Sequence, residues 1–196
     1  MAELALFCED LGHELFTRAI THRLAEEVGI KANIHVISAS RGKGMAISQL
    51  KGWQRSFERG LTVGKPDLLA VVIDGNCIGF QAKQKEIAEI IQTHVFPRYV
   101  IGCPDPHVER WCFADVKAFE QIVGSAPPRD PGKCDRGVYK KLLRDSLLKS
   151  DQLFLTDEME IAPDIVRAAE LYRAGKAQPS LGAFVDSLRK ALSMLR

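Results

Sequence analysis

The chain has 196 residues, 46% of them apolar and 27% charged, with a formal net charge of +2. That length suits one well-buried domain rather than two, and the balance is that of a globular protein rather than a disordered or membrane-bound one. The small net charge excludes capture of nucleic acid by bulk attraction, so any such contact must come from a local basic patch.

No apolar run approaches the roughly 20 residues that span a bilayer, and Met1 is followed by Glu3 and Glu9 rather than by a basic leader. The expectation is a cytoplasmic protein with no membrane contact. Cys8, Cys77, Cys103, Cys112 and Cys134 are odd in number and form no C-x-x-C pair. They read as reduced thiols, with neither a disulfide framework nor a zinc site.

A short apolar strand at residues 3–10 is followed by a helix over 12–29, where Leu15, Phe16, Ala19, Ile20, Leu24 and Val28 form one stripe that ends at Gly29. Residues 32–38 alternate as a strand, and 39–60 read as a basic, glycine-containing loop running into a helix. The run 68-LLAVVI-73 is continuously apolar, the mark of a parallel strand covered on both faces. Residues 80–95 return to helical period, and a strand at 98–105 and a helix at 108–124 complete four strand–helix units. This alternation predicts an α/β domain over residues 1–124, a mostly parallel four-stranded, Rossmann-like sheet flanked by helices. A turn-rich connector at 125–137 leads to helical segments at 138–150, 161–175 and 180–195, read as an extension (138–196) that packs on the same domain.

The stretch 69-LAVVIDGN-76 sends an apolar strand into a carboxylate, which costs free energy unless the acid is paired, solvated or bound. In open parallel sheets the ligand crevice lies outside the carboxyl ends of the strands. Glu9 with Asp10, Asp74, and Asp105 with Glu109 all fall there. Crowded carboxylates repel unless a cation sits between them, and Mg²⁺, with its preference for oxygen ligands, suits that role. Each acid also has a plain structural reading, because Asp and Asn cap helices and make turns, and Asp74-Gly75-Asn76 is a turn sequence in its own right.

The order ALFCED–helix, VVIDGN–helix and the late 104-PDPHVERWCFAD-115 resembles the Toprim fold of topoisomerases, primases and overcoming-lysogenisation-defect nucleases. The P…E-x-W…D pattern further resembles small stand-alone Toprim-like proteins encoded beside ABC-type ATPases. The resemblance covers roughly residues 4–124. In that family a glutamate ends the first strand and a D-x-D pair ends a later one. Carried over, Glu9 is the first acid and Asp74 the first of the pair, with Asn76 in place of the second aspartate and Asp10 in place of a glycine. The resemblance implies a metal-dependent nuclease acting on phosphodiesters with Mg²⁺ or Mn²⁺. Its catalytic residues would be Glu9, Asp74 and Glu109, and its metal ligands Glu9, Asp74 and Asn76. It also implies a nucleic-acid partner, DNA before RNA, and an ABC-type ATPase alongside in an antiphage defence module, with room for a homo-oligomer. Asn76 brings no charge to a metal, which keeps open a non-catalytic Toprim-like partner or regulatory subunit of the ATPase.

For substrate phosphates, Arg41 and Lys43 precede a helix on which Lys51, Arg55 and Arg59 share one face. A solvated helix face is the plain alternative. No Walker A sequence occurs, so ATP hydrolysis by this chain is not expected. His13 and His107 are secondary candidates as proton carriers or ligands, and Lys133 and Arg136 as phosphate contacts. Trp111 is expected in the core beside Phe113 rather than under a base.

Overall fold

A computed structural model of the chain describes residues 1–39, 45–62, 64–132, 134–135, 137–150 and 157–196. Arg41, Lys43, Lys133 and Arg136, the expected phosphate contacts in loops, lie outside the described residues.

Four strands, β1 (Ala2–Cys8), β2 (Ala32–Ser38), β3 (Leu68–Val72) and β4 (Tyr99–Gly102), pair in the order β2-β1-β3-β4, and every pair is parallel. β1 and β3 are central and buried almost throughout, which is why they read as unbroken apolar runs. The helices are α1 (Leu11–Glu27), α2 (Ala46–Glu58), α3 (Phe80–Ala88), α4 (Glu109–Cys112), α5 (Val116–Val123), α6 (Val138–Leu148), α7 (Ala162–Ala168), α8 (Leu171–Ala177) and α9 (Pro179–Ser193).

The two-residue period of a strand divides the core. Leu4, Leu6, Leu68, Ala70 and Val72 face a layer built from α1 and α9, meeting Phe16, Ile20, Phe184 and Leu188. Ala5, Phe7, Leu69 and Val71 face the opposite layer, with Leu50 of α2 and Ile87 of α3. The molecule is therefore a three-layer α/β/α sandwich of Rossmann type, and its C-terminal helices are part of one of the two helical layers.

Three predicted helices end or break earlier than their periodicity suggests. The helix expected over 80–95 stops at Ala88, where the buried amide of Gln54 takes over the backbone: its Nε2 donates to Ile90 O (3.1 Å) and its Oε1 accepts from Gln92 N (2.8 Å). The helices expected over 108–124 and 161–175 are both split, and Asp115 accounts for both breaks. Its Oδ1 accepts from Lys117 N (3.1 Å) and caps α5. Its Oδ2 accepts from Glu170 N (2.7 Å) at the start of α8. Arg173 closes the junction through Nε to Oδ1 (2.8 Å) and Nη2 to Oδ2 (2.6 Å).

Trp111, 1% exposed, stacks on Phe184 (centroids 5.7 Å apart) and meets Phe16, while its Nε1 donates to Ser180 Oγ (2.9 Å). Phe113, the neighbour expected from sequence, packs on Phe119 instead. Trp111 and Asp115 of the P…E-x-W…D pattern thus tie the C-terminal helices α9 and α8 to the α4–α5 segment.

The α8–α9 contact depends on two glycines. A Cβ on Gly182 would lie 3.0 Å from Gly175 O and 3.1 Å from its Cα, against backbone that cannot yield cheaply. Gly182→Ala should lower stability by about 1–3 kcal/mol, the usual cost of overpacking. The check is a lower midpoint of urea unfolding at unchanged slope.

Candidate functional site

The strand order reverses between β1 and β3, and the crevice at such a switch point is where open parallel sheets bind ligands. Glu9 and Asp74 stand just past these two strand ends. Continued pairing holds them level: Glu9 N donates to Val72 O (3.1 Å), and Ile73 N donates to Gly102 O (3.1 Å). Glu9 Oε2 then accepts from Asp74 N at 3.0 Å, joining two acids that lie 65 residues apart in sequence.

His13 sits among the acids. Asp10 caps α1 by accepting from His13 N (3.1 Å), and the same Oδ1 bonds His13 Nδ1 at 2.7 Å. His13 Nε2 reaches Asp74 Oδ1 at 2.8 Å. The second Asp74 oxygen meets His107 Nδ1 at 2.8 Å, and His107 Nε2 meets Cys134 O at 3.3 Å. The result is one chain of contacts, Asp10–His13–Asp74–His107–Cys134, through the carboxyl edge of the sheet.

Its protonation follows from the partners. An ionised carboxylate and a backbone carbonyl only accept, so both nitrogens of each imidazole must donate, and His13 and His107 are imidazolium ions. Burial works against the charge on His13, but Asp74 and Asp10 raise its pKa well above the ordinary value. The hydrogen bond to Asp74 raises that of His107. Burial alone would raise Asp74, yet the two imidazoles hold its carboxyl below the usual range. Glu9 and Glu109 move the other way, pushed up by burial and by the charge of Asp74. His13 therefore meets the need for a positive charge among the acids that the sequence reading assigned to a metal.

One ligand atom each from Glu9, His13 and Asp74 lie within 4.8 Å of one another, the donor spacing of a metal centre. Other expected site residues are placed differently. Glu109 opens α4 outside this trio. Asn76, exposed and in the left-handed region (φ 49°), turns its Nδ2 to Asp74 O (3.2 Å) and closes the turn. Asp105 is engaged at the start of α3, accepting from Phe80 N (3.3 Å).

Beside the trio opens a cleft of about 700 Å³ whose lining includes Glu9, Ser48, Lys51, Asn76, Lys83 and His107. Of the basic row on α2, Lys51 lines it. Arg55 and Arg59 are exposed further along the helix, about 6 and 12 Å beyond Lys51 at 1.5 Å per residue. They run away from the cleft, because α2 leads from the carboxyl edge of the sheet back toward the other edge. Lys83, paired with Glu86 (2.7 Å), was not foreseen; it follows β3 within the first turn of α3 and so returns to the same edge.

Cys77 and Cys134 correct the expectation of five reduced thiols. They form a disulfide, with Cα atoms 5.3 Å apart and a sequence separation of 57. A reading of local spacing cannot see this pair, because the fold brings the connector back to the turn after β3. Cys8, Cys103 and Cys112 are free and buried, and burial raises their pKa values.

No protein-family model matches the chain, nor does a curated protein or a solved structure. The likeness to Toprim proteins therefore rests on the sequence motifs. No helix among the described residues is long and apolar enough to cross a membrane.

Proposed function

We propose that this chain is a metal-dependent phosphodiester hydrolase of Toprim type, with Glu9, His13 and Asp74 holding a divalent ion at the sheet's switch point. The observation that carries this reading is the convergence of those three donors, of which Glu9 lines a cleft that also presents Lys51 and Lys83. Two carboxylates and an imidazole fit an ion that accepts nitrogen as well as oxygen, which favours Mn²⁺ over Mg²⁺. When bound, such an ion lowers the pKa of water and neutralises phosphate charge. It would replace the His13 proton, so metal and proton compete for one place.

In this reading Lys51 and Lys83 contact substrate phosphate oxygens, and Glu109, a half-buried acid with a raised pKa that feels the charges of Asp74, His13 and His107, is a proton acceptor. His107, oriented by Asp74 and lining the cleft, would turn its Nε2–H from the Cys134 carbonyl to donate a proton to the leaving oxygen. Asn76 donates its Nδ2 to the Asp74 carbonyl, which leaves its Oδ1 as a neutral oxygen that adds no charge to the proposed site. DNA, before RNA, is the proposed substrate, and an ABC-type ATPase the proposed partner.

A second reading, a non-catalytic partner of that ATPase, is favoured by one feature: both oxygens of Asp74 are already satisfied by imidazolium ions. Incubating the chain with single- and double-stranded DNA and RNA, with Mn²⁺, Mg²⁺ or a chelator, separates the two. The hydrolase reading expects cleavage that a chelator stops and Mn²⁺ restores. Bound Mn²⁺ without cleavage of any substrate would contradict it in favour of the second.

A further inference from the structure

The disulfide lies at the mouth of the candidate site. Cys77 stands in the short 3-10 turn Asn76–Ile78 that follows Asp74, and Cys134 belongs to the connector; both line the cleft of about 700 Å³. The backbone carbonyl of Cys134 is also the acceptor for His107 Nε2, and His107 Nδ1 in turn occupies Asp74 Oδ2. Both cysteines are exposed, whereas the three free cysteines are buried and inert. A soluble thiol can therefore reach this one pair and no other cysteine.

We propose that Cys77–Cys134 is a reversible thiol–disulfide exchange site that latches the connector against the cleft, and that a dithiol reductant opens it. The proposal builds on the reading of Glu9–His13–Asp74 as a metal centre. One thiolate of the reductant attacks a cystine sulfur, forming a mixed disulfide and expelling the other cysteine as thiolate. The second thiolate of the reductant then displaces the remaining cysteine, so the reductant leaves as a disulfide and the protein gains two electrons and two protons. Opened, residue 134 is no longer tied to residue 77, His107 loses a fixed acceptor, and Asp74 Oδ2 becomes available to a cation. In a reducing compartment, disulfides that do form are commonly transient and regulatory.

The test uses the full chain, oxidised with diamide or reduced with dithiothreitol, with Cys77→Ser as a form that cannot close. Alkylation of the unfolded protein followed by mass spectrometry should find two more reactive thiols after reduction. Hydrogen exchange should then be at least about threefold faster in segments 104–112 and 127–135 of the reduced chain and of Cys77→Ser, and unchanged in α9. Mn²⁺, titrated by electron paramagnetic resonance, should bind at least about threefold more tightly to those two forms. Equal exchange in both states would overturn the latch, whatever the metal does. A latch that opens by exchange while Mn²⁺ affinity stays equal would overturn its control of the centre. Absence of Mn²⁺ binding in every form would instead overturn the metal reading and leave exchange to decide the latch.

Discussion

Glu9→Gln and Asp74→Asn should each reduce metal-dependent cleavage by at least about 100-fold, the scale of loss that follows even from removing a group one step outside a metal's ligands. The two substitutions should differ in stability. In Glu9→Gln the side chain keeps an oxygen that can accept from Asp74 N, so only a charge is lost and unfolding should shift by less than about 1 kcal/mol. In Asp74→Asn a single acceptor oxygen remains where two imidazolium ions now donate, and the new amide nitrogen would face one of them. One imidazole must then lose a proton or its partner, in a group that is 1% exposed in the case of His13. A cost of about 1–3 kcal/mol follows from leaving that polar group unsatisfied. Cleavage rates under saturating Mn²⁺, read beside urea unfolding, check both parts. Full cleavage by either variant would remove these acids from the mechanism.

The largest expected effect on stability comes from Asp115→Ala. Its carboxylate is 1% exposed and accepts from five donors, Lys117 N, Ala118 N, Glu170 N and the two Arg173 nitrogens. Loss of the α5 cap costs about 1 kcal/mol, and an orphaned Glu170 amide about 1–3 kcal/mol. Arg173 is partly exposed and returns to water, so its share is small. The sum, about 2–4 kcal/mol, corresponds to roughly 4–16 °C in Tm for a chain of this size. Acid should erase the difference. Burial alone would raise the Asp115 carboxyl, but Arg173 and the backbone amides hold it below its ordinary value. Its contribution is therefore complete above the unfolded value near about 3.9 and is lost as pH falls through the lower folded value. Thermal unfolding at pH 7 and at progressively lower pH should show the gap between wild type and variant closing with acidification. A gap that persists unchanged would show that the carboxylate's charge is not what holds the junction.

The sheet was legible in sequence because its two central strands bury both faces, which forces unbroken apolar runs such as 68-LLAVVI-73, and because each run is followed by a helical period. That Glu9 and Asp74 share an edge follows from parallel strands with right-handed crossovers, which carry every carboxyl end to one side. What escaped depends on contacts far apart in the chain. His13 was a secondary candidate from its place at the start of α1, but the partner that defines its role, Asp74 at its Nε2, lies 61 residues away. The one local signal was Asp10 three residues before it, a cap able to hold the ring as well as the backbone. The breaks before α5 and α8 were invisible for the same reason, since apolar periodicity runs through both and only the Asp115–Glu170 contact interrupts them. Cys77 and Cys134 carry no local spacing at all. Asn76, by contrast, was readable from its Asp-Gly-Asn context, and the turn is what it makes.

A crystal of the reduced chain soaked in Mn²⁺, with diffraction collected at the manganese edge, addresses the metal centre without any assay of activity. An anomalous peak bonded to carboxylate oxygens of Glu9 and Asp74 and to the His13 ring, which then no longer contacts Asp74 as an imidazolium, is the expected result. A saturating soak that leaves His13 hydrogen-bonded between Asp10 and Asp74, with manganese elsewhere or nowhere, would contradict it.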